Sequence, residues 1–377
     1  MNNFPYRVVT DDARGPLVRV LKFFLWLLSF AYLFAVMAIA WLYRKGILKQ
    51  HHLSRPVVSV GNMTVCGTGK TPLVIKIAQI YKQHKLKPVI LMRGYMGRGI
   101  ARDPAQSDEA AMMRGILEDV PVLVGADRIK NAEDFLKNNQ ADVFILDDGF
   151  QHWRLARDLD IVAIDATDPF GNDRLLPRGI LREPLKALLR ADLLVLTKAD
   201  LGEGHLDSIR QRLAATGCAQ PVIETIHRPV RLTDLKTGGS RELRIIAGQR
   251  VCALCSLGAP AAFAATLTQL GAKIPKAFNF ADHYVYNTTD IRGVLEYCRR
   301  NQVKILVTTQ KDAVKLDGLR DEFLPAGSLW PRGRSLLRQA KDVELFSLHI
   351  ELVVRDGTGE NVFLKRILDT STAKGAV

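Results

Sequence analysis

The chain has 377 residues and a formal net charge of +14 at pH 7. This length is sufficient for two domains, each with its own hydrophobic core. The five cysteines are odd in number and scattered, which argues against a disulfide-stapled secreted domain and favours a reducing compartment. The excess positive charge indicates an acidic partner, and nucleic acid, anionic lipid or a phosphorylated substrate would each qualify.

The first predicted element is an apolar helix from Phe23 to Tyr43, a run without a charged side chain. At about 1.5 Å per residue, such a helix would cross a hydrocarbon core of ~30 Å. Lysines and arginines flank it on both sides, so their distribution does not indicate which end of the helix faces the cytoplasm. The run is too long for a signal peptide core and lacks a small-residue cleavage site. We therefore expect residues 1–45 to be a retained anchor, with membrane lipids as a partner.

The segment VVSVGNMTVCGTGKTP, residues 57–72, has the pattern of a loop that holds nucleotide phosphates. Its glycines let backbone N–H groups curl toward an anion, and the following helix adds its N-terminal partial charge. Lys70 would reach the β- and γ-phosphates, and Thr71 would place its hydroxyl on Mg²⁺. The first glycine of the G-x4-G-K-[ST] pattern is replaced by Thr64, so the second half of the motif carries the prediction. The predicted nucleotide-binding residues are Thr64, Val65, Cys66, Gly67, Thr68, Gly69, Lys70 and Thr71.

A second acidic motif follows a short apolar run that begins at Val143 and ends in Asp147-Asp148-Gly149. The run predicts a buried strand. Carboxylates at the carboxyl end of a strand beside the phosphate-loop strand can hold Mg²⁺ directly or through its water ligands. We therefore predict a metal site made of Thr71, Asp147 and Asp148.

Strand-like runs alternate with helical stretches along the chain, which predicts an α/β fold. We expect a P-loop NTPase-like domain with a mainly parallel sheet, a second, smaller α/β domain joined through a hairpin linker, and the N-terminal membrane helix. The predicted bounds are 46–230 for the P-loop core, 231–244 for the linker, 245–370 for the second domain and 371–377 for a frayed tail. The linker RLTDLKTGGSRELR contains two short polar strands around a Gly-Gly turn.

Cys252 and Cys255 have the C-x-x-C spacing of redox and zinc sites. They lie in the run VCALCSLG, which predicts a buried strand, and no second cysteine pair accompanies them. We therefore expect them to pack in a core.

Several segments together resemble one family, the bacterial tetraacyldisaccharide 4'-kinases, or lipid A 4'-kinases. These segments are SVGNMTVCGTGKTP, MRGY, ILDDGFQHWRLARDLDIVAIDA, FGNDRLLPRGILREP, DLLVLTKAD, FADHY and TTQKDAVKL, in the family's order. The resemblance implies transfer of the ATP γ-phosphate, with Mg²⁺, to the 4'-hydroxyl of a tetraacylated glucosamine-disaccharide 1-phosphate. It also implies work at the cytoplasmic face of the bacterial inner membrane, with the lipid A precursor as partner. Neither nucleic acid nor an obligate protein partner is expected.

The resemblance also assigns roles to individual residues. Lys70 would stabilise the transferred phosphoryl group, and a carboxylate–imidazole pair, Asp108 and His283, would activate the acceptor hydroxyl. Which member of the pair takes the proton stays open. The resemblance assigns further residues to contacts with phosphate, substrate or nucleotide, or to support of the metal ligands, and some of them could instead form structural ion pairs. These residues are Arg128, Gln151, His152, Glu183, Lys311 and Asp312.

Two other classes of protein share part of these features. Thr197-Lys198-Ala199-Asp200 resembles the guanine-reading [NT]-K-x-D motif, so a membrane-tethered P-loop GTPase switch is the alternative. A nucleic-acid-binding ATPase would suit the charge, but the chain lacks mixed aromatic and basic clusters, and that class does not explain the apolar N-terminal run.

Overall fold

The computed structural model describes residues 4–65, 67–94, 107–282, 284–317 and 342–372. Two predicted site residues, Cys66 and His283, lie outside them. The α-helices are α1 (Phe4–Val9), α2 (Pro16–Arg44), α3 (Lys70–Gln83), α4 (Asp108–Leu117), α5 (Arg128–Asn138), α6 (Leu206–Thr216), α7 (Pro260–Gln269), α8 (Thr288–Arg300), α9 (Gln310–Asp317) and α10 (Gly357–Thr372). The strands are β1 (Val57–Asn62), β2 (Pro88–Met92), β3 (Val122–Val124), β4 (Val143–Asp147), β5 (Leu159–Asp165), β6 (Leu193–Thr197), β7 (Val222–Asp234), β8 (Ser240–Arg241), β9 (Arg250–Cys255), β10 (Lys273–Asn279), β11 (Ile305–Thr309) and β12 (Glu344–Val354). The predicted α/β fold class and N-terminal apolar helix are confirmed.

The described residues divide into two compact units. The first unit contains residues 4–65, 67–94, 113–227 and 352–372, and the second contains 107–112, 228–282, 284–317 and 342–351. The predicted domain bounds stay a prediction, and the units differ from them at two places. Residues 107–112 belong to the second unit, and α10 belongs to the first, where Ile367 accepts a hydrogen bond of 2.8 Å from the Tyr81 hydroxyl.

In the first unit the strands lie in the order β7-β6-β5-β1-β4-β2-β3 and pair in parallel. Strands β1, β2, β4, β5 and β6 are buried throughout, as expected for continuous apolar runs covered on both faces. The chain leaves β1 toward β2 on one side and later adds β5 on the other, so the strand order reverses at β1. Ligands of open α/β sheets bind at the carboxyl ends of the strands at such a reversal.

In the second unit the order is β10-β9-β11-β12-β7, with β8 antiparallel to the last residues of β7. This hairpin falls within the predicted linker sequence. Cys252 and Cys255 are buried on β9, where Cys252 packs in the same cluster as Cys298 of α8. The expectation that this cysteine pair packs in a core is confirmed.

Helix α2 has two different faces. One face packs against the first unit: Ser29 and Ala40 are buried, and the Tyr43 ring stacks on Trp153 with centroids 5.9 Å apart. The helix has 29 residues and is, by its length and composition, long and apolar enough to cross a membrane. The other face exposes large apolar side chains, namely Phe23, Phe24, Leu27, Leu28, Phe30, Phe34, Met37, Ile39 and Trp41. Exposed apolar patches of this kind are typical of surfaces that bind lipid or another apolar partner.

Candidate active site

The glycine-rich loop, residues 63–69, joins β1 to α3, which begins at Lys70. We call it the phosphate loop. Gly69 has φ +77°, a conformation that favours glycine. A Cβ at this position would lie 2.9 Å from His227 Nε2 and 3.3 Å from Thr197 Cβ, so no side chain fits. Of the other predicted loop residues, Thr64 and Thr68 are buried, Val65 and Gly67 are exposed, and Lys70 and Thr71 are half-buried. The loop thus precedes a helix N-terminus whose free N–H groups suit an anion.

Asp148 follows the carboxyl end of β4 and is held between two cations. Its Oδ1 lies 3.5 Å from Lys70 Nζ. Arg182 Nη1 donates to both carboxylate oxygens of Asp148, each at 2.9 Å. Burial alone would raise the pKa of Asp148, but the charges of Lys70, Arg182 and Arg128 outweigh it and lower that pKa. The predicted phosphate-loop lysine and strand-end carboxylate therefore lie together.

Glu183 and Gln151 brace this arrangement from the side. Glu183 is buried and receives a bidentate contact from Arg190, with two N–O distances of 2.6 Å. The Gln151 amide donates to Asn62 O and to Glu183 Oε1, each at 3.1 Å, and its oxygen accepts from Arg182 at 3.2 Å. These contacts connect the end of β1 to Arg182, the residue that donates to Asp148.

Arg128 is a buried cation beside the two aspartates. It begins α5 and is 5% exposed, and its Nε and Nη1 donate to no group in the described part of the chain. Burial lowers the pKa of Arg128, while the charges of Asp148 and Asp147 raise it. Burial and the charge of Arg128 also lower the pKa of His152 to about 4, which keeps that ring neutral near pH 7.

The Thr197-Lys198 pair lies against the phosphate loop. The Lys198 ammonium pairs with Asp165, both side chains being less than a tenth exposed, and donates to Gly67 O at 3.3 Å. The Thr197 hydroxyl donates to Thr68 O at 2.8 Å. These two contacts fix the carbonyls of Gly67 and Thr68 in the loop.

In the second unit, Asp108 is the first residue of α4. Lys315 Nζ lies 3.8 Å from Asp108 Oδ2. One helical turn earlier, Lys311 Nζ lies 3.2 Å from both Glu109 Oε1 and Asp282 Oδ1. Burial would lower the pKa of Lys311, but these carboxylates outweigh it and raise that pKa. Two lysines of α9 thus hold the start of α4.

Asp312 has a structural set of partners. It is fully buried and accepts hydrogen bonds from the Ser256 N–H at 3.0 Å, the Thr309 hydroxyl at 2.8 Å and Lys315 Nζ at 3.2 Å. These bonds connect the ends of β9 and β11 to α9. Any effect of Asp312 on a ligand would therefore act through Lys315 and the position of α9.

Arg182, Lys198 and Lys315 are among the residues that the structure brings to these clusters and that sequence reasoning missed. Arg182 lies in the quoted LREP motif, yet only Glu183 was predicted there, because sequence gives no sign of which motif residue faces Asp148. Lys198 belonged to the GTPase alternative, and its contact with Gly67 could not be read from the motif. Lys315 stands one turn after Lys311 in KDAVK, and this i, i+4 spacing was the available signal.

The His227 ring, packed against Gly69, makes stability depend on pH. Burial and the charge of Lys198 lower its pKa to about 4 from an ordinary value of 6.5. Between these values the unfolded chain binds a proton that the folded chain does not, so the free energy of unfolding falls as pH drops from 7 toward 4. Between pH 7 and pH 5 we expect the wild type to lose about 1–2 kcal/mol more unfolding free energy than His227→Gln does. Urea unfolding at both pH values measures this; equal losses in wild type and variant would contradict it.

Comparison with known proteins identifies the family. The family model described as "Tetraacyldisaccharide-1-P 4'-kinase" (LpxK) matches residues 21–334. A tetraacyldisaccharide 4'-kinase of Syntrophus aciditrophicus is 36% identical over 75% of this chain and 81% of its own length. One from Halothermothrix orenii is 34% identical over 86% of this chain and 90% of its own length.

A solved structure agrees with these matches. The Aquifex aeolicus LpxK crystal structure, in complex with ATP, superposes with a TM-score of 0.68 at 28% identity. The match covers 93% of this chain and 99% of the Aquifex chain. Family model, relatives and structure therefore lead to the same conclusion: the chain belongs to the tetraacyldisaccharide-1-phosphate 4'-kinase family.

Proposed function

We propose that this chain transfers the γ-phosphate of ATP to the 4'-hydroxyl of a tetraacylated glucosamine-disaccharide 1-phosphate, a lipid A precursor. The family supports the reaction. The observation that carries it to particular residues is the contact of Lys70 with Asp148 at the start of α3, beside the glycine-rich loop. Phosphoryl transfer needs positioning and charge neutralisation more than covalent help, and this cluster supplies cations next to a phosphate-binding loop.

Lys70 is the residue we assign to the transferred phosphoryl group. Replacing it with alanine should lower kcat by about a hundredfold or more, because charge developing in the transition state loses its nearest cation. Lys76, further along the same helix, is the matched control, and Lys76→Ala should retain kcat. The assay follows labelled ATP into a bisphosphorylated lipid product. A folded Lys70→Ala enzyme with wild-type turnover would overturn the assignment, and a wild type without lipid product would overturn the function.

We assign Mg²⁺ to Thr71, Asp147 and Asp148. Hydroxyl and carboxylate oxygens are hard ligands that suit the ion. Both oxygens of Asp148 also accept from Arg182, so Asp148 would reach Mg²⁺ through a remaining lone pair or a water ligand, and Asp147 and Thr71 would bind it more directly. The register supports the location, because Asp147 at the end of β4 pairs with Val60 of β1, just before the phosphate loop. Within the described ranges no group of three His, Cys, Asp or Glu side chains is placed to hold a metal ion. When bound, Mg²⁺ would neutralise charge on the phosphates.

The metal assignment predicts a shifted magnesium requirement. Asp147→Asn should raise the Mg²⁺ concentration for half-maximal activity by about tenfold or more, because one anionic ligand is lost. Asp134→Asn, on the surface of α5, is the control and should leave that concentration unchanged. Superimposable magnesium titrations for wild type and Asp147→Asn would remove Asp147 from the metal site.

We propose Arg128 as a contact to a phosphate group of the substrates. Its buried guanidinium retains donor atoms without a partner among the described residues, beside Asp147 and Asp148. Leaving such donors unbonded costs free energy, and a phosphate oxygen would satisfy them. Gln151, His152 and Glu183 we assign to bracing this region, and Lys311 and Asp312 to holding α9 against the start of α4.

For the acceptor hydroxyl we propose Asp108 and His283 as a joint base, on the resemblance to the family. Each alanine substitution should lower kcat with little change in the KM for ATP. The double variant should cost far less than the two free-energy losses added together, because the residues act as one unit. The acidic limb of the pH profile of kcat/KM should also change in either variant. Additive losses with an unaltered acidic limb would mean separate roles.

The GTPase alternative is not favoured. The family match argues against it, and Thr197 and Lys198 bond to carbonyls of the phosphate loop.

We propose the cytoplasmic face of the bacterial inner membrane as the location. The support is the family's lipid substrate together with the exposed apolar face of α2.

A further inference from the structure

The membrane-type helix α2 is hydrogen-bonded to a segment that reaches the candidate active site. We call residues 175–183 the bridging segment. The Ser29 hydroxyl donates to Leu175 O at 3.1 Å and accepts from the Arg178 N–H at 3.3 Å. The Tyr32 hydroxyl donates to Arg182 O at 2.8 Å. Ser29 and Tyr32 are three residues apart and so lie on the same face of the helix.

The bridging segment also contacts the start of the phosphate loop. The Arg182 N–H donates to Met63 O at 2.8 Å, and the Val65 N–H donates to Ile180 O at 3.0 Å. Thr64 and Leu181 form an isolated antiparallel bridge between these two contacts. The same short segment is therefore bonded to α2 and to the first residues of the phosphate loop.

Arg182 is the residue where these contacts meet. Its N–H is bonded to Met63 and its carbonyl to Tyr32, so its backbone is fixed from both directions. Its guanidinium then bonds both oxygens of Asp148 and the Gln151 amide oxygen. Asp148 in turn contacts Lys70. A continuous chain of contacts runs from the Tyr32 hydroxyl to Lys70, next to the phosphate loop.

We propose that Tyr32 is a positioning residue for phosphoryl transfer, acting from α2 through Arg182 on Asp148 and Lys70. Polar groups in an apolar run cost free energy unless bonded, and the Tyr32 hydroxyl donates to the bridging segment rather than to its own helix. Ser29 and Tyr32 are both bonded, and both bond to the bridging segment. Helix α2 thus forms part of the scaffold of the site. This inference rests on the proposed function, since phosphoryl transfer is its readout.

A double-mutant cycle of Tyr32→Phe and Arg182→Ala tests the proposal. All enzymes are assayed as full-length protein in detergent micelles containing the tetraacyldisaccharide 1-phosphate. We expect Tyr32→Phe to lower kcat by about three- to tenfold, as expected for one lost positioning hydrogen bond, with KM for the lipid changed less than about twofold. In the Arg182→Ala background the same substitution should have no further effect on kcat, because its route to Asp148 is already broken.

Tyr43→Phe is the matched control. Tyr43 lies on the same helix and keeps its ring stacking on Trp153 as phenylalanine, so its kcat should equal that of wild type. Sedimentation with phosphatidylglycerol vesicles should be the same for wild type and both tyrosine variants. The proposal would be overturned by an unchanged kcat in Tyr32→Phe, or by an equal loss of kcat in the wild-type and Arg182→Ala backgrounds. It would also be overturned if Tyr32→Phe lost vesicle binding in proportion to its loss of kcat. Absence of lipid phosphorylation by wild type would instead overturn the proposed function.

Discussion

The first unit is organised around one carboxylate, that of Asp148, held between the cations of Lys70 and Arg182. Each of the three side chains comes from a different part of the chain: the end of β4, the start of α3 and the bridging segment. Their charges attract at short range, and the fold holds the three backbones close enough for these contacts to form. The parallel pairing of β1 with β4 fixes two of them, and the contacts of the bridging segment fix the third.

The surrounding ion pairs have a common effect on this region. Glu183 is neutralised by Arg190, and Asp165 by Lys198, so neither buried carboxylate places uncompensated negative charge beside the phosphate loop. Breaking either pair by removing one partner would leave a buried charge, which costs far more than the pair contributes. Arg128 adds a buried positive charge to the same region. The result is a positively charged surrounding for the phosphate loop, which favours a polyanion such as a nucleoside triphosphate.

Sequence reasoning predicted the features that depend on local pattern. The runs around Val58, Ile145 and Val195 are apolar enough to identify buried strands, and the glycine-rich turn before Lys70 identifies the phosphate loop. Strands β3, β10 and β12 were not predicted, and the residues of β10 are largely exposed and lack apolar alternation.

The rest of the site depends on contacts between residues far apart in the chain, which local pattern does not record. The Tyr32 hydroxyl lies in an apolar run that gives no sign of its partner 150 residues later. Thr197-Lys198-Ala199-Asp200 is a recognisable motif whose pattern suggests a contact with guanine. In the structure Thr197 and Lys198 bond instead to the carbonyls of Thr68 and Gly67. In both cases a side chain's role was decided by which carbonyl the fold placed next to it.

Two residues at strand ends in the first unit adopt left-handed backbone conformations without being glycine. Asp148 has φ 53° and Lys198 has φ 54°. Each conformation costs of order 1 kcal/mol relative to glycine at the same position. Glycine would relieve that backbone cost, but at Lys198 it would leave the buried Asp165 carboxylate without its cationic partner, which costs more than the relieved strain. At both strand ends the backbone strain is therefore offset by a charge that has a partner in the fold, so a screen for heat resistance should retain Lys198 rather than replace it with glycine.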